Sequence, residues 1–222
     1  QAPLYPYLLA LVYRIFGPDP LAAAFFQAGL GCMTVVFVHS LGKRLFGGAA
    51  ALWAAGFMAV APIFPYYEGF LLRDSLATFL NVFFLWSLFR FSPGKPLRGA
   101  ILCGFLLGLA ALARSNALIL LPVGALWLWL GSGRTTRNRS VLAALFIAAA
   151  FLTVSPATLH NRLAGGQWAL VEANFSQNWR IGNSFDSTGG YWEPKQGLVP
   201  PLSGAFPRLQ LKKLGKLLSD YE

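Results

Sequence analysis

GAILCGFLLGLAALARSNALILLPVGALWLWLG, residues 99–131, is two apolar stretches around one polar trio, Arg114-Ser115-Asn116. Read as a single membrane helix, it would hold Arg114 in lipid, at a cost of about 2.5–3.5 kcal/mol on insertion scales. Read as a hairpin of two short helices, it brings the arginine to a membrane surface. The flanking charges choose between the two. Arg98 precedes the stretch, and Arg134, Arg137 and Arg139 follow it. Basic residues collect on one side of a membrane, and only the hairpin puts both groups there. The charge pattern therefore predicts spans at about 98–113 and 116–131, with the trio in the turn.

The same reading extends outward in both directions. Apolar runs predict further spans at about 20–42, 49–66, 74–90 and 140–159. Residues 3–16 are apolar but short of the roughly 20 residues a span needs, and read as an interfacial helix. Six spans place Lys43/Arg44, Arg90/Lys95/Arg98 and Arg134/Arg137/Arg139 on one face, the cytoplasmic one. Residues 1–163 then form a membrane core. Residues 164–222 form a small extracytoplasmic segment, with a weakly alternating stretch at 167–175 that reads as a strand. A basic amphipathic helix at about 207–219 closes it. The fold class expected is an all-α polytopic membrane protein.

Composition agrees. Of the 222 residues, 56% are hydrophobic and 12% charged, where a soluble domain carries about 25% charged residues. The net charge of +10 is taken up by span ends. No polar segment interleaves basic and aromatic residues, so nucleic acid is excluded as a partner. Cys32 and Cys103 lie in apolar runs and read as small buried hydrophobes, with neither a disulfide framework nor zinc spacing.

The chemistry-bearing residues fall on the face away from the basic clusters. The loop YYEGFLLRDSL, residues 66–76, holds Glu68, Arg73 and Asp74. Its carboxylates either line a surface cavity or, for Asp74, cap the helix that follows. As oxygen ligands they would suit magnesium or manganese. Arg114 either snorkels to headgroups or forms bidentate, charge-assisted bonds to phosphate, and Arg73 is open to the same reading. Tyr67, Asn116 and His160 are candidate substrate contacts.

Four stretches then carry a family resemblance. They are APLYPYLLALVYRIFG (2–17), GKRLFG (42–47), YYEGFLLRDSLATFL (66–80) and GFLLGLAALARSNALILLP (104–122). In that order they resemble membrane glycosyltransferases of the GT-C class. The nearest resemblance is to bacterial relatives of the dolichyl-phosphate-mannose protein mannosyltransferases (glycosyltransferase family 39), a group that includes the lipid A aminoarabinose transferases and RgtA/B/C/D-like proteins. RIGNSFDSTGGYWEP (180–194) resembles the outer loop after the shared membrane core.

The resemblance implies a GT-C-type helix bundle in a bacterial inner membrane, active on its extracytoplasmic face. The donor is a polyprenyl-phosphate-linked sugar, and the acceptor a glycan, lipid or protein. The main catalytic base is expected upstream of Gln1. Glu68 and Asp74 match the region of auxiliary acids near the lipid phosphate, and Arg73 and Arg114 become donor-phosphate ligands. By itself the stretch from Gln1 is expected to be inactive. The rival reading is a polytopic transporter or lipid flippase. It requires charges deep within spans and related halves, and neither is seen in the sequence.

Overall fold

Where the backbone can and cannot remain helical decides the elements. The computed structural model describes residues 2–90, 96–130, 136–166 and 168–172, apart from the side chains of Pro65, Tyr67 and Glu68. The described residues form α1 (Leu4–Phe16), α2 (Pro20–Phe46), α3 (Gly48–Val60), α4 (Ile63–Glu68) and α5 (Asp74–Phe89). Then come α6 (Pro96–Ala113), a 3-10 turn (Ser115–Ile119), α7 (Leu120–Leu130) and α8 (Thr136–Gly165). No described residue is in a strand; residues 168–172, within the stretch read as one, run in irregular backbone. The amphipathic helix expected at 207–219 and the loop at 180–194 lie outside the described residues.

Each boundary has a local cause. Asp19 caps α2, its side chain accepting from the Leu21 N–H at 2.9 Å, with Pro20 at the first helical position. Gly47, at φ 90°, turns the chain between α2 and α3 in a conformation that residues with a Cβ avoid. Helix α3 stops at Val60, short of the span limit read near residue 66. Ala61 precedes Pro62 and takes the extended backbone that a following proline imposes. Helix α8 passes through Pro156. The proline removes the N–H that would bond the Leu152 carbonyl, and the Ser155 hydroxyl donates to that carbonyl instead, at 2.8 Å. In lipid this substitution matters because no water can serve the freed group.

Side-chain pairs fix the directions of the helices. Gln27 bonds to Phe70, Phe37 packs on Phe79 and Phe83, and Ser40 bonds to Trp86. Rising numbers on α2 thus meet rising numbers on α5, and the two run parallel. Phe89 of α5 packs on Trp127 of α7 in the same sense. Gly104 lies against Phe146 and Ala149, and Gly108 against Ala150 and Thr153, so α6 and α8 are also parallel. Helix α3 folds back from α2, and α8 from α7. One end of the bundle therefore collects the start of α2, residues 61–74, the end of α6, the 3-10 turn and the end of α8. The other end collects Lys43, Arg44, Arg90, Arg98, Arg137 and Arg139.

The core is centred on α6, whose Ala100, Cys103, Leu107, Ala110 and Ala111 are almost completely buried. Leu142, Phe146, Ala150 and Val154 present one stripe of α8, at four-residue spacing, to the interior. The outward faces are as apolar as the core: Phe25, Trp53, Phe57 and Leu152 are largely exposed. Cys32, read from sequence as buried, is on such an outward face, while Cys103 is in the core. An aqueous surface would not carry so much exposed apolar area. Helices α2, α6 and α8 are long and apolar enough to cross a membrane, and the chain is an all-α polytopic membrane protein.

Candidate functional site

The site is built where α6 stops. Arg114 has extended backbone, its N–H closing the last turn of α6 onto the Ala110 carbonyl at 2.8 Å. Its own carbonyl accepts from the Ala117 N–H at 3.0 Å and opens the 3-10 turn. This places the Arg114 side chain beside the first turn of α5, where its Nη1 pairs with Asp74 Oδ1. Asp74 is the first residue of α5, with Arg73 at the cap position before it, so it does not cap the helix as the sequence allowed. Its carboxylate is directed at the arginine instead.

The loop before α5 is held from below. Gln27, buried within α2, donates from Nε2 to the Phe70 carbonyl at 2.7 Å and accepts the Tyr5 hydroxyl at 2.7 Å. One side chain thus ties α1, α2 and the loop together. A tight turn from the Leu72 N–H to the Phe70 carbonyl, 2.7 Å, then presents Arg73.

Residues 168–172 cross the same end of the bundle. Asn161, near the end of α8, donates to the carbonyls of Ala169 and Val171 at 3.0 Å each, and Thr158 donates to Leu170 at 2.7 Å. Val171 is buried with Ala2, Ala111 and Val154. So strapped, Glu172 meets Arg73 Nη1 at 2.9 Å on one oxygen and the Ser115 hydroxyl at 2.8 Å on the other. Burial pushes the Glu172 carboxyl up. The hydrogen bonds from Arg73 and Ser115, with the arginine's charge, outweigh that and hold it below the usual carboxylate range.

The sign of the pH dependence follows. A lowered carboxylate pKa stabilises the strapped state above about pH 4, and the stabilisation is lost as pH falls through the lowered value. Glu172→Gln is expected to loosen the strap already at neutral pH. Chymotryptic cleavage after Leu170 should become about fivefold faster, equivalent to about 1 kcal/mol for a partly exposed charge-assisted bond. An unchanged cleavage rate would mean that Asn161, Thr158 and Val171 hold the segment without Glu172.

Between α2, α3, α4, α5 and Arg114 lies a cavity of about 470 Å³. Asp74, Ser75, Thr78 and Arg114 give it a polar side; Met58, Ile63 and Phe64 give it an apolar one. The Ser75 hydroxyl oxygen is buried and finds no hydrogen-bond partner among the described residues. An orphaned hydroxyl is costly unless something else satisfies it, and Ser75 is one of the cavity's lining residues. The Arg114 side chain is 46% exposed, which leaves part of its five-donor fork accessible to a ligand.

Of the residues singled out by sequence, Asp74 and Arg114 come together at this cavity, while Arg73, expected beside them as a phosphate ligand, pairs with Glu172 and is not among the cavity's lining residues. Asn116 lies in the 3-10 turn and is exposed; His160 is exposed on α8 and does not line the cavity. Tyr67 and Glu68 belong to α4, and their side chains lie outside the description. Among the described residues no three His, Cys, Asp or Glu side chains gather as a metal site. Sequence reasoning missed Glu172, Ser75 and Gln27. Gln27 carried a signal, as a lone amide inside an apolar span.

No curated protein matches the chain, and neither does any solved structure. The family model for dolichyl-phosphate-mannose-protein mannosyltransferase matches residues 1–160, which hold α1 to α7 and most of α8, with both partners of the Asp74–Arg114 pair; the chain belongs to that family.

Proposed function

We propose that the cavity beside Asp74 and Arg114 receives the phosphate of a polyprenyl-phosphate-linked sugar on the extracytoplasmic face. The family makes the chain a membrane glycosyltransferase of the GT-C type; in this reading it acts from such a donor on a glycan or protein acceptor. The observation that carries the finer reading is the cavity's division into two sides. Arg114, Ser75 and Thr78 suit a phosphate and sugar hydroxyls, and Met58, Ile63 and Phe64 suit the first isoprene units.

In this reading the acceptor hydroxyl oxygen bonds to the anomeric carbon while the bond from that carbon to the phosphate oxygen breaks. The polyprenyl phosphate leaves with the electron pair, and the hydroxyl proton passes to a general base. Arg114 stabilises the charge growing on the phosphate, the point at which a fixed cation lowers a barrier most. Asp74 is a positioning residue: it aims the guanidinium and leaves the rest of its fork for phosphate. The basic character of the opposite end supports a cytoplasmic placement of Lys43, Arg44 and Arg90.

The test supplies a panel of radiolabelled polyprenyl-phosphate sugars to membranes expressing the whole gene. Label should enter acceptor material. Asp74→Asn should raise the donor KM on the order of tenfold, since the pair loses its charge assistance, with acceptor KM and membrane content unchanged. Failure of every donor in well-folded protein, with lipid translocation in vesicles instead, would replace this reading with the flippase one.

A further inference from the structure

The end of the bundle away from Asp74 holds a second cavity, of about 260 Å³, lined by Ser40, Leu41, Lys43, Arg44, Trp86 and Arg90. Along α5 its lining residue Trp86 lies eight positions beyond Thr78 of the first cavity, about 12 Å of helix. Three of its six lining residues are cations. The described carboxylates Asp19, Asp74 and Glu172 belong to the opposite end, where Asp19 caps α2 and the other two are paired with arginines.

The cations are also placed, not merely present. Lys43 and Arg44 occupy the last turn of α2, where the helix dipole favours positive charge. The Arg90 guanidinium lies 5.0 Å above the centre of the Trp86 ring. The Trp86 indole N–H donates to the Ser40 hydroxyl at 2.9 Å, fixing the ring that fixes the arginine. Ser40 accepts that bond and keeps its own hydroxyl proton to donate. Leu41, nearer the bilayer centre than Lys43 and Arg44 along α2, gives the cavity an apolar edge. Phe89, next to Arg90, packs against Trp127 with ring centroids 4.6 Å apart, as aromatic side chains gather where helices leave the hydrocarbon.

We infer that this cavity binds the phosphate of an anionic membrane phospholipid, with its acyl chains leaving past Leu41 toward the bilayer centre. A phosphodiester carries one negative charge and acceptor oxygens for Lys43, Arg44, Arg90 and Ser40. Basic pockets between helices at the membrane surface recognise such headgroups. The inference is independent of the donor-site reading, since it uses none of the same residues.

The test holds the protein in a neutral detergent, titrates dioleoyl-phosphatidylglycerol, and counts bound lipid by native mass spectrometry. Wild type should retain phosphatidylglycerol over phosphatidylcholine. Lys43→Gln with Arg90→Gln should raise the dissociation constant on the order of tenfold or more, and Arg90→Lys should stay close to wild type. Arg44→Gln, an exposed position at a helix end, should move binding in the same direction and serves if the double variant fails to fold. Equal retention of the two lipids, or unaltered affinity in the glutamine variants, would overturn the assignment. Displacement of bound lipid by millimolar inorganic phosphate would overturn it in favour of a free-phosphate site.

Discussion

Arg114→Ala is expected to reduce sugar transfer by about 10²–10³-fold, the range found when a fixed charge-stabilising donor is removed from a reacting centre. Two losses combine in that figure. The donor phosphate loses a charge-assisted bond, and Asp74 is left facing the same phosphate without its cation. The second loss separates this variant from Asp74→Asn, in which no net negative charge is stranded. Arg114→Lys should recover only part of the activity, because an ammonium cannot serve a carboxylate and a phosphate from one planar fork. Removing both partners, in Asp74→Ala with Arg114→Ala, should be less damaging than Arg114→Ala alone. The measurement is initial transfer rate against donor concentration, normalised to protein in the membrane. An Arg114→Ala protein that is well folded and transfers at the wild-type rate would make Arg114 a surface anchor only.

The fold class was legible because membrane helices are written in composition. A chain with 12% charged residues has no way to clothe a soluble domain, and clusters such as Lys43/Arg44 stand at helix ends for the same reason. The site was legible in content but not in pairing. Arg73, Asp74 and Arg114 are conspicuous as polar residues in apolar surroundings. Which acid meets which arginine depends on the return of residues 168–172 over the bundle. That return is held mainly by Asn161, Thr158 and the burial of Val171. Nothing in the local pattern around Glu172 distinguishes it from a solvated loop acid. Its role comes from a partner 99 positions away. Cys32 was misread for a related reason: in a membrane protein, apolar surroundings in sequence do not separate the interior from the lipid face.

The packing of α6 on α8 gives the second large effect. In lipid, helices gain little from hiding apolar surface, and close backbone approach through small residues takes over. Gly104 and Gly108 are spaced for this. A Cβ on Gly104 would stand 2.2 Å from the Phe146 carbonyl oxygen and 2.8 Å from the Ala149 Cβ. One on Gly108 would stand 2.5 Å from the Thr153 Cβ. In each case the obstacle is backbone or a Cβ, so no rotamer change relieves it. Gly104→Ala is expected to destabilise the bundle by about 1–3 kcal/mol as an overpacking change, and Gly104→Leu by more. Gly56→Ala in α3 is the matched control. A Cβ there meets nothing within 4 Å, so helix propensity should leave it neutral or up to about 1 kcal/mol more stable. The measurement is the monodisperse fraction after graded heating in detergent. The consequence for the site is specific, because α6 ends at Arg114 and α8 carries Asn161. Forcing the two helices apart displaces the guanidinium from Asp74 and the strap from Arg73 together. Gly104→Ala should therefore speed chymotryptic cleavage after Leu170 and raise the donor KM in the same protein, while Gly56→Ala moves neither. Cleavage and KM at wild-type values in a destabilised Gly104→Ala protein would show that the α6–α8 contact supports the fold without setting the geometry of the site.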